Sequence, residues 1–186
     1  IGTTSPAYSL DVAGYVATDI FSGFKQGRDT VLYASSTNSS LAVGSPNAAA
    51  WMRATSTATV NIAIGADALS SAPTTGTASG NLAVGAAALK VTTGGGYNVA
   101  VGDYTFYDNV SGRRGTAIGY GALSNSLESY NTAVGYYALS GITSGTQNTA
   151  IGYLSGLSSS GDYTSVLDNY MTFLGSQASR DNSVAS

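Results

Sequence analysis

The stretch Asn131-Thr132-Ala133-Val134-Gly135-Tyr136-Tyr137-Ala138-Leu139 decides how this chain is read. Its core returns as Asn61-Ile62-Ala63-Ile64-Gly65 through Leu69 and as Asn81-Leu82-Ala83-Val84-Gly85 through Leu89. Gly115-Thr116-Ala117-Ile118-Gly119 through Leu123 lacks only the Asn, and Asn98-Val99-Ala100-Val101-Gly102 ends in Phe106 instead of Leu. Asn148-Thr149-Ala150-Ile151-Gly152 loses the regular ending, and weaker copies flank the set at Leu41-Ala42-Val43-Gly44 and Thr172-Phe173-Leu174-Gly175. The repeat glycines are therefore Gly44, Gly65, Gly85, Gly102, Gly119, Gly135, Gly152 and Gly175, closely spaced in the middle and looser at the ends. That is the behaviour of a stacked array with atypical terminal units.

Within one unit the apolar pattern alternates with period two over a short run, which is a strand signal. Helix-pair repeats need more than about 30 residues, so a unit this short fits one coil of a β-solenoid or β-roll. Gly/Ser/Thr-rich connectors such as Thr93-Gly94-Gly95-Gly96 supply the turns. The alternation assigns two faces. On this reading Val43, Ile64, Val84, Val101, Ile118, Val134, Ile151 and Leu174 stack in file inside the coil. The Ala/Gly face lies outside, flat enough for a neighbouring backbone to approach. So thin a core barely offsets chain entropy, so neighbouring chains are expected to cover the bare faces, most simply as a three-fold bundle.

Composition fits a repetitive shell more than a catalyst. Ala, Ser, Gly and Thr make up half of the 186 residues, charged residues only 9%, and His and Cys are absent. A Ser-His-Asp or Cys-His centre and a Cys/His zinc site are thereby excluded, and no disulfide forms. A net charge of −3 argues against nucleic acid as partner. No apolar run is long enough for a membrane helix.

The units Asn131 to Leu139 and Asn148-Thr149-Ala150-Ile151-Gly152-Tyr153 resemble the repeats of phage tail-fibre proteins and related bacterial surface proteins, many of which carry a C-terminal intramolecular chaperone. They are also similar to the head repeats of trimeric autotransporter adhesins. That resemblance implies a left-handed β-roll in an intertwined homotrimer, in an extracellular setting, virion fibre or cell-surface appendage. Ile1 to Gly14 and Thr172 to Ala178 resemble segments of the same fibre proteins. The expected organisation is an all-β chain with a β lead-in over 1–40, the repeat array over 41–180, and the start of a further unit at 181–186. Within the lead-in, Tyr8 to Val12, Tyr15 to Thr18 and Val31-Leu32-Tyr33 read as short strands. Residues 45–60 match no repeat, and Ala48 to Arg53 reads as a helical or irregular excursion.

The expected function is structural: a rigid rod in an extracellular fibre or adhesin, with surface attachment, no enzyme activity, no cofactor and no metal. The alternative is a filament subunit joined end to end by strand addition, and a glycan depolymerase is the third reading. For the last, Asp103 with Asp108 and Asp162 with Asp168 are the acidic pairs, against their ordinary role as solvated turn residues. For recognition of a surface glycan or receptor the candidates are Tyr120, Tyr136, Tyr137 and Tyr153, all close behind repeat glycines, together with Trp51 and Arg53 and the basic pair Arg113-Arg114. The tyrosines read either as a stacking surface or as a ladder packed between coils or chains. The arginines read either as surface salt contacts or as an anionic-glycan site.

Overall fold

The computed structural model describes residues 24–26, 29–35, 39–44, 58–71, 78–157, 165–166 and 169–179. Expectations for Tyr8 to Val12, Tyr15 to Thr18, Ala48 to Arg53 and 181–186 lie outside these residues. Strand β1 (Phe24–Gln26) pairs antiparallel with β2 (Asp29–Ser35), and β2 antiparallel with β3 (Ser40–Val43). The expected Val31-Leu32-Tyr33 strand is thus the middle of β2. From β3 onward every neighbour in this sheet is parallel: β4 (Ile62–Ile64), β5 (Leu82–Val84), β6 (Val99–Val101), β7 (Thr116–Ile118) and β8 (Thr132–Val134) follow in order. The stack then skips β9 (Ile142–Ser144) and continues through β10 (Thr149–Ile151) to β12 (Thr172–Leu174). Strand β9 pairs with β11 (Ser165–Val166) in a separate two-stranded sheet. The chain is an all-β parallel solenoid: each repeat contributes one short strand, and the next repeat lays its strand beside it in the same register.

The register places the repeat residues in vertical files, but it reverses the expected faces. Val43, Ile64, Val84, Val101, Ile118, Val134, Ile151 and Leu174 are successive partners along the sheet, so the file exists. It points outward. Ile118 is 41% exposed, Ile151 45% and Leu174 66%, whereas Ala63, Ala83, Ala100, Ala117, Ala133 and Ala150 between the aliphatics have no exposed surface. The physical reason is the width of the coil. Its interior is already filled from the far side by the turn residues Leu69, Leu89, Phe106, Leu123 and Leu139, all buried. Opposite a leucine only a methyl fits, so the strand turns its alanines inward and its branched side chains out. The close approach allowed by the small residues is made by the next coil of the same chain. Each turn leucine sits at positive φ, between 47° and 52°, and its N–H bonds to the adjoining coil, as in Leu89 N to Thr105 O at 3.0 Å and Leu139 N to Ser155 O at 2.9 Å.

Asn ladders close the third side. Asn61, Asn81, Asn98, Asn131 and Asn148 are buried. Each side-chain oxygen accepts the backbone N–H of the equivalent residue one coil on: Asn81 N to Asn61 Oδ1 at 2.9 Å, Asn98 N to Asn81 Oδ1 at 3.0 Å, Asn148 N to Asn131 Oδ1 at 2.9 Å. The amide nitrogens of Asn61, Asn81, Asn98 and Asn131 donate to carbonyls, as Asn81 does to Gly95 O and Asn98 to Gly112 O, while that of Asn148 is buried without a partner among the described residues. This explains why the repeat opens on Asn: one side chain satisfies a buried donor above it and a buried acceptor beside it. Asn98→Ala leaves the Gly115 N–H, bonded at 2.9 Å, without its acceptor. It should cost about 3 kcal/mol in urea unfolding, whereas substitutions at the neighbouring exposed Val110 should cost under about 0.5 kcal/mol.

Two irregular repeats turn out to be paired adjustments of one core. Gly115 stands where Asn is expected, and a Cβ there would collide with Cζ of Phe106, which stands where Leu is expected. The larger ring occupies the volume that the missing Asn side chain vacates. Near the end the exchange recurs in another form. Gly156, at φ 75°, takes the turn-leucine position, and a Cβ on it would meet Leu139 and, at 3.2 Å, the ring of Phe173. Phe173, 6% exposed, is the inward strand residue where other coils carry Ala.

Candidate functional site

The outward sheet face is built by two files. One runs Leu41, Ile62, Leu82, Val99, Thr116, Thr132, Thr149, Thr172, and the other is the Val43 to Leu174 file. Neither contains a charged residue. At about 4.8 Å per strand the face extends on the order of 34 Å along the axis. Its character changes along that length, since the first file passes from aliphatic side chains to threonines between β6 and β7.

Aromatic margins border this face. Beyond the repeat glycines, Tyr120, Tyr136 and Tyr153 form a vertical stack with centroids 5.5 Å apart and planes inclined by 16° and 11°. Tyr137 occupies the next file and meets Tyr120 and Tyr136 edge-on, at 5.3 and 4.7 Å. It leans into space left by Gly121, where a Cβ would lie 2.6 Å from its Cδ1. Tyr104 and Tyr107 extend the cluster, a pair the sequence reading missed. The signal was present: Tyr104 follows Gly102 by two residues, as Tyr137 follows Gly135. In the stack the ring faces are turned largely toward one another. What it offers outward is chiefly ring edges and phenol hydroxyls, so the ladder reading of these tyrosines fits the geometry better than a bare stacking platform.

On the opposite margin, the residues just before the buried Asn positions form another file. Arg114 lies between Tyr97 and Tyr130, its guanidinium carbon 5.9 and 5.7 Å from the two ring centroids. Its Nη1 donates to the Tyr130 hydroxyl at 2.7 Å. The backbones of all three sit at positive φ, 54° to 66°, and bond to the preceding coil, Arg114 N to Gly96 O and Tyr130 N to Arg113 O among them. Arg113 Nη2 donates to Gly94 O at 3.3 Å. The structure therefore brings Arg114, with Arg113 beside it in the chain, into an aromatic setting that sequence reasoning did not anticipate, although Tyr97 and Tyr130 precede Asn98 and Asn131 as Arg114 precedes Gly115.

Of the acidic candidates, Asp103 and Asp108 are described, and neither faces a cluster of other acids. Asp103 accepts the Ala86 N–H at 2.7 Å, a contact that ties two coils together, and Asp108 is exposed. Asp67 pairs with Lys90 at 3.2 Å, and that hydrogen bond, with the nearby Tyr107, holds the Lys90 ammonium above its ordinary range. The pair is partly exposed and contributes little to stability. Among the described residues no cluster of Asp or Glu could hold a metal ion. Asp162, Asp168, Trp51 and Arg53 lie outside the described residues. Comparison with known proteins found no matching family model, no similar curated protein and no similar solved structure.

Proposed function

We propose that this chain is a rod-forming segment of an extracellular fibre or adhesin, assembled from parallel copies of itself, with a mechanical and surface-attaching role in place of a catalytic one. The observation that carries the reading is the uncharged aliphatic file on the outer face. A continuous apolar strip of this length is normally covered in a soluble protein. The occupant is a second copy of the same chain, for a reason that lies in the gradient of the face. Antiparallel copies would set Thr132 and Thr149 against Leu82 and Ile62. Parallel copies related by rotation about the rod axis match aliphatic with aliphatic and hydroxyl with hydroxyl, level by level. The resemblance of the repeats to trimeric fibre proteins favours three copies.

Light scattering should give three times the 18.6 kDa chain mass. Ile118→Lys with Ile151→Lys should abolish that assembly, because each places a charge in the covered strip. Orientation is read separately. The chain has no cysteine, so Ile64→Cys alone and Ile151→Cys alone, both in the Val43 to Leu174 file, should each give self-crosslinked products under oxidation. Crosslinking only when the two variants are mixed would show antiparallel copies, and a stable monomer of the unmodified chain would overturn the reading.

A further inference from the structure

We infer that Arg113 and Arg114, with Tyr97 and Tyr130, form a binding site for an acidic sugar, a pyranose carrying a carboxylate. The inference deepens the surface-attaching part of the function proposed above by naming a ligand class and its place on the rod.

Charge is the first argument. The chain is net negative, yet these two adjacent cations have no carboxylate within ion-pairing distance among the described residues; the ion pair found there is Lys90 with Asp67. Each guanidinium carries five N–H donors, and one from each is engaged, by Tyr130 Oη and by Gly94 O. The donors left over can take a planar carboxylate in the two-point geometry that arginine favours. Glu128, the adjoining acid, has its backbone stacked over Gly112, and its side chain forms no ion pair with either arginine.

Rigidity is the second. The Arg114 backbone is fixed by its bond to Gly96 O, and its side chain is held between two rings. Little rotamer freedom remains to be lost on binding. The third is the flanking surface. Tyr97 is 62% exposed and Tyr130 48%, so each presents ring surface beside Arg114. A pyranose offers an apolar C–H face that packs on a phenol ring while its carboxylate reaches the guanidinium. A nucleic acid fits less well, because a protein of negative net charge gains nothing from the remaining phosphates.

Tetragalacturonate is the probe, and its fully methyl-esterified form is the control, with the same rings and no charge. Calorimetric titration of the full chain should show binding of the acid, weakening as salt is raised, and at least tenfold weaker binding of the ester. Arg113→Gln with Arg114→Gln should remove binding. Arg114→Lys, which keeps the charge, should still weaken it severalfold. Tyr97→Ser with Tyr130→Ser should weaken it at least tenfold, while Tyr136→Ser with Tyr153→Ser leaves it unchanged. Circular dichroism confirms that each variant is folded. Equal affinity for acid and ester, no binding of the acid at millimolar concentration, retention by the double Gln variant, or displacement by inorganic sulfate at equal concentration would each overturn the site. A chain that assembles into rods but ignores tetragalacturonate sinks only this inference, whereas a monomer that binds it sinks only the assembly.

Discussion

Gly119→Ala should destabilise the solenoid by roughly 4 kcal/mol, and the same change at Gly175 by only about half as much or less. Both glycines hold a positive φ, 119° and 114°, that an L side chain rarely adopts. The backbone term is therefore shared. What differs is the neighbour above. A Cβ on Gly119 would lie 2.6 Å from Gly135 O, a backbone atom that moves only if the two coils separate. That separation would stretch the flanking bonds, Gly119 N to Val101 O and Gly135 N to Ile118 O, both 2.8 Å. A Cβ on Gly175 meets nothing within 4 Å. Equilibrium unfolding of the two variants in urea gives the comparison directly. Equal losses would show that the glycine file is retained for its dihedral angle alone, with no part played by the contact between coils.

The second large effect is a coupling. Phe106→Leu alone should cost about 1–2 kcal/mol, since it opens a void beside Gly115. Gly115→Asn alone should cost at least about 2 kcal/mol, because its Cβ has no space against the Phe106 ring. Together they should come close to the unmodified chain, with an interaction energy of at least about 2 kcal/mol across the cycle. The combination restores the regular unit. The new amide would continue the Asn ladder by accepting the Asn131 N–H, as Asn98 accepts Gly115 N–H. Its nitrogen would face the Glu128 carbonyl, which stacks on Gly112 as Gly112 O stacks on Gly95. Additive losses in denaturant titrations of the single and double variants would show that the two irregularities are unrelated.

The repeat frame was legible from residues alone. Asn-x-Ala-x-Gly marks every strand from β4 to β10 that lies in the main stack, with Gly115 in place of Asn at β7. The direction of the strand was not. Period-two alternation separates Ile64 from Ala63 but carries no sign, and the usual rule that aliphatics go inside gives the wrong one here. The sign is set by Leu69 and its equivalents, which reach the interior from a turn at positive φ and leave room only for a methyl. The pairings of Phe106 with Gly115 and of Phe173 with Gly156 were hidden for a related reason. The partners stand nine and seventeen residues apart, and nothing in either position alone announces which residue of the next coil will lie against it. Of the candidate site, the tyrosines behind the glycines could be named in advance. The enclosure of Arg114 could not, because it depends on the vertical alignment of residues preceding each buried Asn.

The exchanges of volume between adjoining coils also limit how this array can be edited by recombination. A deletion that removes one whole unit keeps the hydrogen-bond ladders but leaves the flanking units as new neighbours. Excising the unit that runs from Gly115 through Leu123 removes the glycine that Phe106 needs and sets its ring against Asn131, the first residue of the next unit. A crossover that falls between Phe106 and Gly115 gives a chimera with either two bulky groups or none at one level. The permitted splice points are therefore the boundaries between regular units, and the two phenylalanines mark where duplication or loss would have to carry a pair of coils at once.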